Sequence, residues 1–216
     1  YVRSKIASSL DGRTALHNGV SQWITGAEAR RDVQHWRARS CAILTGINTV
    51  LTDDAQLNVR DITTTRRPLR VVLDSQLRMP LDAKILLGGN TLIYTAAQNA
   101  EKISALEKLG VSVCVLANGE ARVDLHAMLK ELAQRGINEV LVEAGSILNG
   151  ALLQAGLVDE LLLYLAPQLL GDMARGMASL GELTQLNQRV ELHWQDVRQV
   201  GNDLRVQAKI KRTENV

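Results

Sequence analysis

Along the chain, short apolar runs rich in β-branched residues alternate with longer stretches in which apolar residues return every third or fourth position. The short runs predict strands over Val2 to Ser8, Cys41 to Thr45, Leu69 to Asp74, Thr91 to Thr95, Val111 to Leu116, Glu139 to Val142 and Glu160 to Ala166. The helical period predicts helices over Ala27 to Arg39, Asn99 to Leu109, Leu125 to Arg135 and Ile147 to Ala155. Strand and helix in alternation imply an α/β protein with a largely parallel sheet covered on both faces. The end of the chain breaks that rhythm. Residues 190–211, "VELHWQDVRQVGNDLRVQAKIK", read as two strands around Gly201-Asn202-Asp203, an antiparallel C-terminal hairpin that makes the sheet mixed. The polar stretch Asp61 to Arg67, "DITTTRR", reads as an exposed loop, and no internal repeat is present.

Composition narrows the class without changing this picture. With 216 residues, 46% hydrophobic and 22% charged, residues 1–216 suffice for one domain with a real core. The net charge is +2, the pI is about 8.7, and the basic residues are scattered. That distribution argues against nucleic acid and favours a small anionic ligand. Cys41 and Cys114 lie in apolar runs as core thiols, with no CxxC pair. No secretory or transmembrane segment appears, so a reducing cytoplasmic setting is expected. A start at Tyr1 without methionine marks an excerpt of a longer protein or a processed one.

Candidate chemistry concentrates where strands end. At Glu143-Ala144-Gly145-Ser146-Ile147-Leu148-Asn149-Gly150 a strand passes through a small-residue turn into a helix, which leaves helix N–H groups facing an anion. The spacing is not G-x-G-x-x-G, and close helix packing explains the glycine equally well. Glu143 closes an apolar strand at the edge where open α/β sheets bind ligands. Lys5, inside a β-run, needs a partner or a ligand unless it snorkels from an edge strand. Asp11-Gly12 signals a turn. Thr25-Gly26-Ala27-Glu28 has capping-box form and starts a helix near Thr25, on which Arg30 and Arg37 share a face. The adjacent acids Asp53 and Asp54 fall in a loop after the second strand and should diverge, so they suggest no metal site. His17, His35, His126 and His193 lack ligand spacing.

Taken in order, "SSLDGRTA", "SQWIT", "ILTGINTVLTDDAQLNVR", "VVLDSQLRMPLDAKILL", "VEAGSILNGALLQAGLVDE" and "YLAPQLLG" resemble the 5-amino-6-(5-phosphoribosylamino)uracil reductases of riboflavin biosynthesis, from about Val2 to Gly171. The resemblance implies a dihydrofolate-reductase-like fold and NADPH as hydride donor. It also implies a phosphoribosylaminopyrimidine acceptor and a homodimer built through the late strands. By position it assigns Ser21, Arg37, Leu57, Arg60 and Glu143 to the substrate. To the cofactor it assigns Ala7, Ser9, Trp23, Thr49, Asp53, Ser75 and the turn Gly145, Ser146, Ile147, Leu148, Asn149, Gly150 and Ala151. Lys5 and Glu143 are the implied catalytic pair, with acid and base unassigned between them. Ser75 and Arg78 are placed to favour NADPH over NADH.

The chain departs from the family pattern at Ala55, where relatives usually have proline, and at Ala144, where many have glycine. Members are often fused behind a zinc deaminase, whose H-x-E and P-C-x-x-C signature is absent from these residues. Two rival readings remain at this level: another NADPH-dependent reductase on the same fold, or a non-catalytic nucleotide-binding module.

Overall fold

The computed structural model describes residues 1–211; the last five positions of the expected 1–216 domain lie outside them. In chain order the strands are β1 (Val2–Ser9), β2 (Arg13–Ala15), β3 (Ala42–Gly46), β4 (Leu69–Leu73), β5 (Thr91–Thr95), β6 (Ser112–Val115), β7 (Val140–Val142), β8 (Glu160–Ala166), β9 (Arg175–Gly176), β10 (Leu192–Val200) and β11 (Asp203–Ile210). The α-helices are α1 (Ala27–Arg39), α2 (Ile47–Asp53), α3 (Ala100–Lys108), α4 (Leu125–Gln134) and α5 (Ser146–Gln154). Every strand and helix expected from the periodicity is present, with ends shifted by no more than a residue or two. The stretch read as a loop after the second strand instead begins with α2, and the short pair β2 and β9 was not expected. The backbone divides into two compact units, Tyr1–Val33 with Val142–Val216, and Gln34–Leu141.

In the first unit β1 pairs parallel with β8, β8 pairs antiparallel with β11, and β11 pairs antiparallel with β10. The register puts Ser4 and Ile6 beside Leu161 and Leu163, and these beside Ala208 and Val206. This apolar face carries α5, whose Leu152 is fully buried and whose Asn149 bonds Ser4. The opposite face holds Arg3, Lys5, Ala7 and Ser9, since side chains alternate along a strand. There Arg3 Nε donates to Glu160 at 2.6 Å, and both side chains are buried. Burial alone would raise the Glu160 carboxyl. The Arg3 hydrogen bond and charge, with Tyr1 and Gln207, outweigh it and hold the group below its ordinary value. Burial, then Glu160 itself, pushes the Tyr1 hydroxyl up to about 12.

On this same face the Asp32 carboxylate of α1 accepts from Tyr164 Oη at 2.5 Å and Arg205 Nη1 at 2.9 Å. The start of α1 is also fixed from far along the chain. Its first internal bond runs from Arg30 N to Gly26 O. The buried Asp203 carboxylate at the hairpin tip accepts from Gly26 N at 2.7 Å. A remote carboxylate thus satisfies an end donor where the sequence suggested a Thr25 capping box. Gly201 is required beside it: its φ is +60°, and a Cβ there would stand 2.8 Å from Glu28 Cβ.

In the second unit β3, β4, β5 and β6 pair in parallel, one beside the next. Their apolar runs and the helices between them form a core that includes Ile43, Val72, Ile93, Ile85, Met79 and Leu106. Cys41 and Cys114 are both half-buried free thiols, less enclosed than the core position expected.

Candidate active site

Each unit is built from its own strand ends. In the first, Lys5, Ala7 and Ser9 recur along one face of β1; Lys5 and Ala7 are half-buried and Ser9 is fully buried. The Ser9 hydroxyl donates to the Asp11 carboxylate and accepts from Arg13 N at 3.1 Å. Its side chain is therefore committed to the turn, where the Ser9 carbonyl also accepts from Gly12 N at 3.0 Å. Asp11, which the sequence marked only as a turn residue, has a larger part: its carboxylate also accepts from Leu170 N at 3.2 Å and Gly171 N at 2.9 Å. The Ser9 bond chiefly, then these two amides, lower its pKa against the cost of desolvation. The loop after β8 is thereby tied to the end of β1.

Glu143 follows β7 directly and is half-buried. Two residues on, Gly145 enters α5 in extended conformation, and no side chain caps the helix. Nothing lies within 4 Å of where a Gly145 Cβ would be, so a bulky anion can approach the first-turn N–H groups. The expected lining 145–151 divides here. Gly145 and Ile147 are exposed, and Ser146, Leu148 and Ala151 are half-buried. Asn149 and Gly150 are buried. A Cβ on Gly150 would stand 2.1 Å from Ser179 O, so this glycine is fixed by packing against the 177–180 segment.

Ser21 is half-buried, and Trp23 is 69% exposed with the Arg30 guanidinium over its ring at 4.5 Å. Arg30 Nη1 also donates to Thr25 O at 2.6 Å, so this arginine holds the segment entering α1. A large aromatic left open to solvent beside a cation offers a flat stacking surface.

In the second unit Thr49, half-buried, and Asp53 lie on α2. The paired acids do diverge. Asp54 takes a left-handed conformation at the helix end and pairs with Lys84 Nζ at 2.8 Å, and the Lys84 side-chain and backbone bonds lower its pKa. Asp53 has its pKa raised by desolvation. The following loop turns through left-handed residues at Asp54, Leu57 and Asp61, with φ of 45°, 50° and 61°. Leu57 is buried, a conformation costly for leucine that persists only where its surroundings enforce it. The enforcing contacts are visible: Arg37 Nη1 donates to Asn58 O at 2.9 Å, and Gln34 Oε1 accepts from Arg60 N at 3.0 Å. Arg37 is thus buried and holds the loop, while the Arg60 side chain is exposed. Gln34 was not singled out from the sequence, because its partner lies 26 residues away.

Ser75 lies two residues beyond β4, its hydroxyl accepting from Val123 N at 3.1 Å. Arg78 is exposed and donates to Asn48 Oδ1 at 2.8 Å. Two fully buried acceptors at these strand ends, Asp74 Oδ1 and Thr45 Oγ1, have no partner among the described residues. Uncompensated buried polar atoms are unusual and fit a strand edge that takes a polar ligand or water.

Residues 1–206 match the family model of the RibD C-terminal domain. The riboflavin biosynthesis protein RibD of Escherichia coli (strain K12) is 41% identical over 217 residues, covering 94% of this chain and 58% of that protein. A structure of Acinetobacter baumannii RibD superposes with a TM-score of 0.88 at 41% identity, over 98% of this chain and 58% of the other. A Thermotoga maritima structure, named as a diaminohydroxyphosphoribosylaminopyrimidine deaminase/5-amino-6-(5-phosphoribosylamino)uracil reductase, gives 0.81 at 26% identity, over 98% and 56%. The chain spans a little over half the length of these relatives. It shares with them a dihydrofolate-reductase-like fold, a mixed and mostly parallel sheet with antiparallel C-terminal strands.

Proposed function

Because the chain belongs to the RibD C-terminal domain family, we propose that it carries the reductase activity of riboflavin biosynthesis, reducing 5-amino-6-(5-phosphoribosylamino)uracil to its ribitylamino product with NADPH. The observation that carries this reading is local. Glu143, a carboxylate at the end of a buried strand, stands two residues ahead of a glycine-entered helix that no side chain caps. That pairing sets a proton-handling group next to an anion-accepting helix end, as a sugar-reducing site for a phosphate-bearing cofactor requires.

The substrate's N-glycosylamine opens to an imine at the first sugar carbon, and NADPH, when bound, supplies the hydride that reduces that carbon. One proton must also reach the nitrogen. Lys5 and Glu143 are the residues we assign to orient the opened sugar and hold that proton. The backbone of Ala7 and Ser9, the Trp23 ring, and Gly145, Ser146, Ile147, Leu148 and Ala151 would hold the cofactor, as would Thr49, Asp53 and Ser75. Ser75 with Arg78 would favour NADPH over NADH. Arg60 would pair with the substrate phosphate, Arg37 would add charge and shape its loop, and Leu57 and Ser21 would complete the contacts. The Thermotoga maritima relative carries two named activities; we assign this chain the reductase and the remaining length of such relatives the deaminase.

Two broader assignments belong to the same proposal. No helix among the described residues is long and apolar enough to cross a membrane, and the unpaired thiols Cys41 and Cys114 support a reducing cytoplasmic setting. The exposed apolar side chains Trp194, Val197 and Leu204 on β10 and β11 support a homodimer formed through these strands. The deciding test is NADPH oxidation by the purified chain. It should depend on the deaminated pyrimidine phosphate and remain absent with dihydrofolate. Oxidation indifferent to that substrate, or supported by dihydrofolate instead, overturns the assignment.

A further inference from the structure

Asn149 is 1% exposed, and both N–H groups of its side-chain amide, together with its oxygen, are bonded within the first unit. Its Nδ2 donates to Ala144 O and to Met177 O, each at 3.1 Å, while its Oδ1 accepts from Ser4 Oγ at 3.1 Å. Two carbonyls on one side and a hydroxyl donor on the other admit only this orientation of the amide. We infer that Asn149 is a positioning residue: it does not touch the cofactor but fixes the Glu143-Ala144-Gly145 turn against β1 and the 177–180 segment, and so sets the geometry in which dinucleotide phosphates are taken up.

The surrounding contacts give the amide this role and not a general packing one. Ala144 is the residue between Glu143 and the helix-entering Gly145, so the bond to its carbonyl acts on the turn itself. On the far side, the segment carrying Met177 is held to α5 independently. Ser179 N donates to Ser146 O at 2.9 Å, Gln154 Nε2 donates to Leu180 O at 2.9 Å, and Gly150 gives the close approach. Asn149 alone among these joins the turn, the segment and the strand that bears Lys5. An aspartate at 149 would present a second acceptor to two carbonyls; an ionised carboxylate there repels both, and a protonated one restores only one of the two bonds.

This role rests on the proposal that the turn receives NADPH, and the test separates the two. Binding of NADPH to wild type, Asn149→Asp and Gln154→Ala is titrated directly, with thermal melts and steady-state kinetics alongside. Losing the bond to the turn at Ala144 O and the bond to the segment at Met177 O should weaken NADPH binding by Asn149→Asp about tenfold or more, with the loss deepening as pH rises and the carboxyl ionises. Gln154→Ala, which loosens the segment without touching the turn, should lower the melting temperature and leave NADPH binding unchanged.

If Asn149→Asp does not fold, Ser4→Ala is read instead: removing the hydroxyl that orients the amide should weaken NADPH about threefold. A wild type that fails to bind NADPH overturns the functional reading and this role together. A wild type that binds, with Asn149→Asp or Ser4→Ala binding equally well or Gln154→Ala weakened as much, overturns the positioning role alone.

Discussion

At the scale of single residues, Glu143 and the two arginines separate chemistry from scaffolding. Glu143→Gln keeps shape while removing charge and basicity. If the carboxylate handles the proton, kcat should fall roughly 10²-fold while melting temperature and NADPH binding are kept; a normal kcat would make Glu143 structural. Arg37 and Arg60 read alike in the sequence, yet the structure gives them different duties. Arg60 is exposed, so Arg60→Ala should raise the substrate KM about tenfold or more without changing stability. Arg37 is buried and bonds Asn58 O, so Arg37→Ala should also lower the melting temperature as the Leu57 loop relaxes. Melts and substrate titrations on both variants check this, and equal melting temperatures would refute it. Residue types and spacing mark Glu143, Arg37 and Arg60 as candidates for chemistry. They could not show that the Ser9 hydroxyl and the Asn149 amide are spent on protein partners, because those partners lie in other elements.

At the scale of elements, β1 and β8 are locked by a buried ion pair whose pH dependence has a definite sign. The folded pKa of Glu160 lies below its unfolded value, so its stabilisation is present above the ordinary carboxylate range and lost as pH falls through the lowered folded value. Arg3→Ala leaves a buried carboxylate without its guanidinium and should cost about 3 to 5 kcal/mol near neutral pH. Chemical denaturation across pH should show that deficit shrinking in acid, where Glu160 is protonated in both proteins; a deficit constant with pH would be inconsistent. Strong periodicity made β5, β8 and α1 legible to their end residues. The short α2 escaped because its residues Ile47–Asp53 are too few for a period and carry no side-chain N-cap. β2 and β9 escaped because their pairing spans about three-quarters of the chain, a relation that no local pattern encodes.

At the scale of the whole molecule, the small net charge of +2 provides little long-range attraction, so the proposed phosphates would be bound by local groups such as the Arg60 side chain and the first-turn N–H groups of α5. Association should in turn be apolar. Trp194 is 62% exposed on β10, and Trp194→Asp should convert the proposed dimer to a monomer in sedimentation or light-scattering measurements; an unchanged mass would rule out this surface. The division of the chain has another consequence, for biosynthesis. The second unit is one continuous segment, Gln34–Leu141, whereas the first is assembled from residues on both sides of it. On the ribosome the middle of the chain can therefore complete its core while β1 still waits for β8, which is translated roughly ten seconds or more later at ordinary elongation rates. During that interval β1 lacks its β8 neighbour, and Gly26 lacks the carboxylate of Asp203, which emerges later still. Until β8 emerges the nascent chain thus carries an unprotected strand edge, the kind of surface that a chaperone shields and that a pause before β8 would prolong.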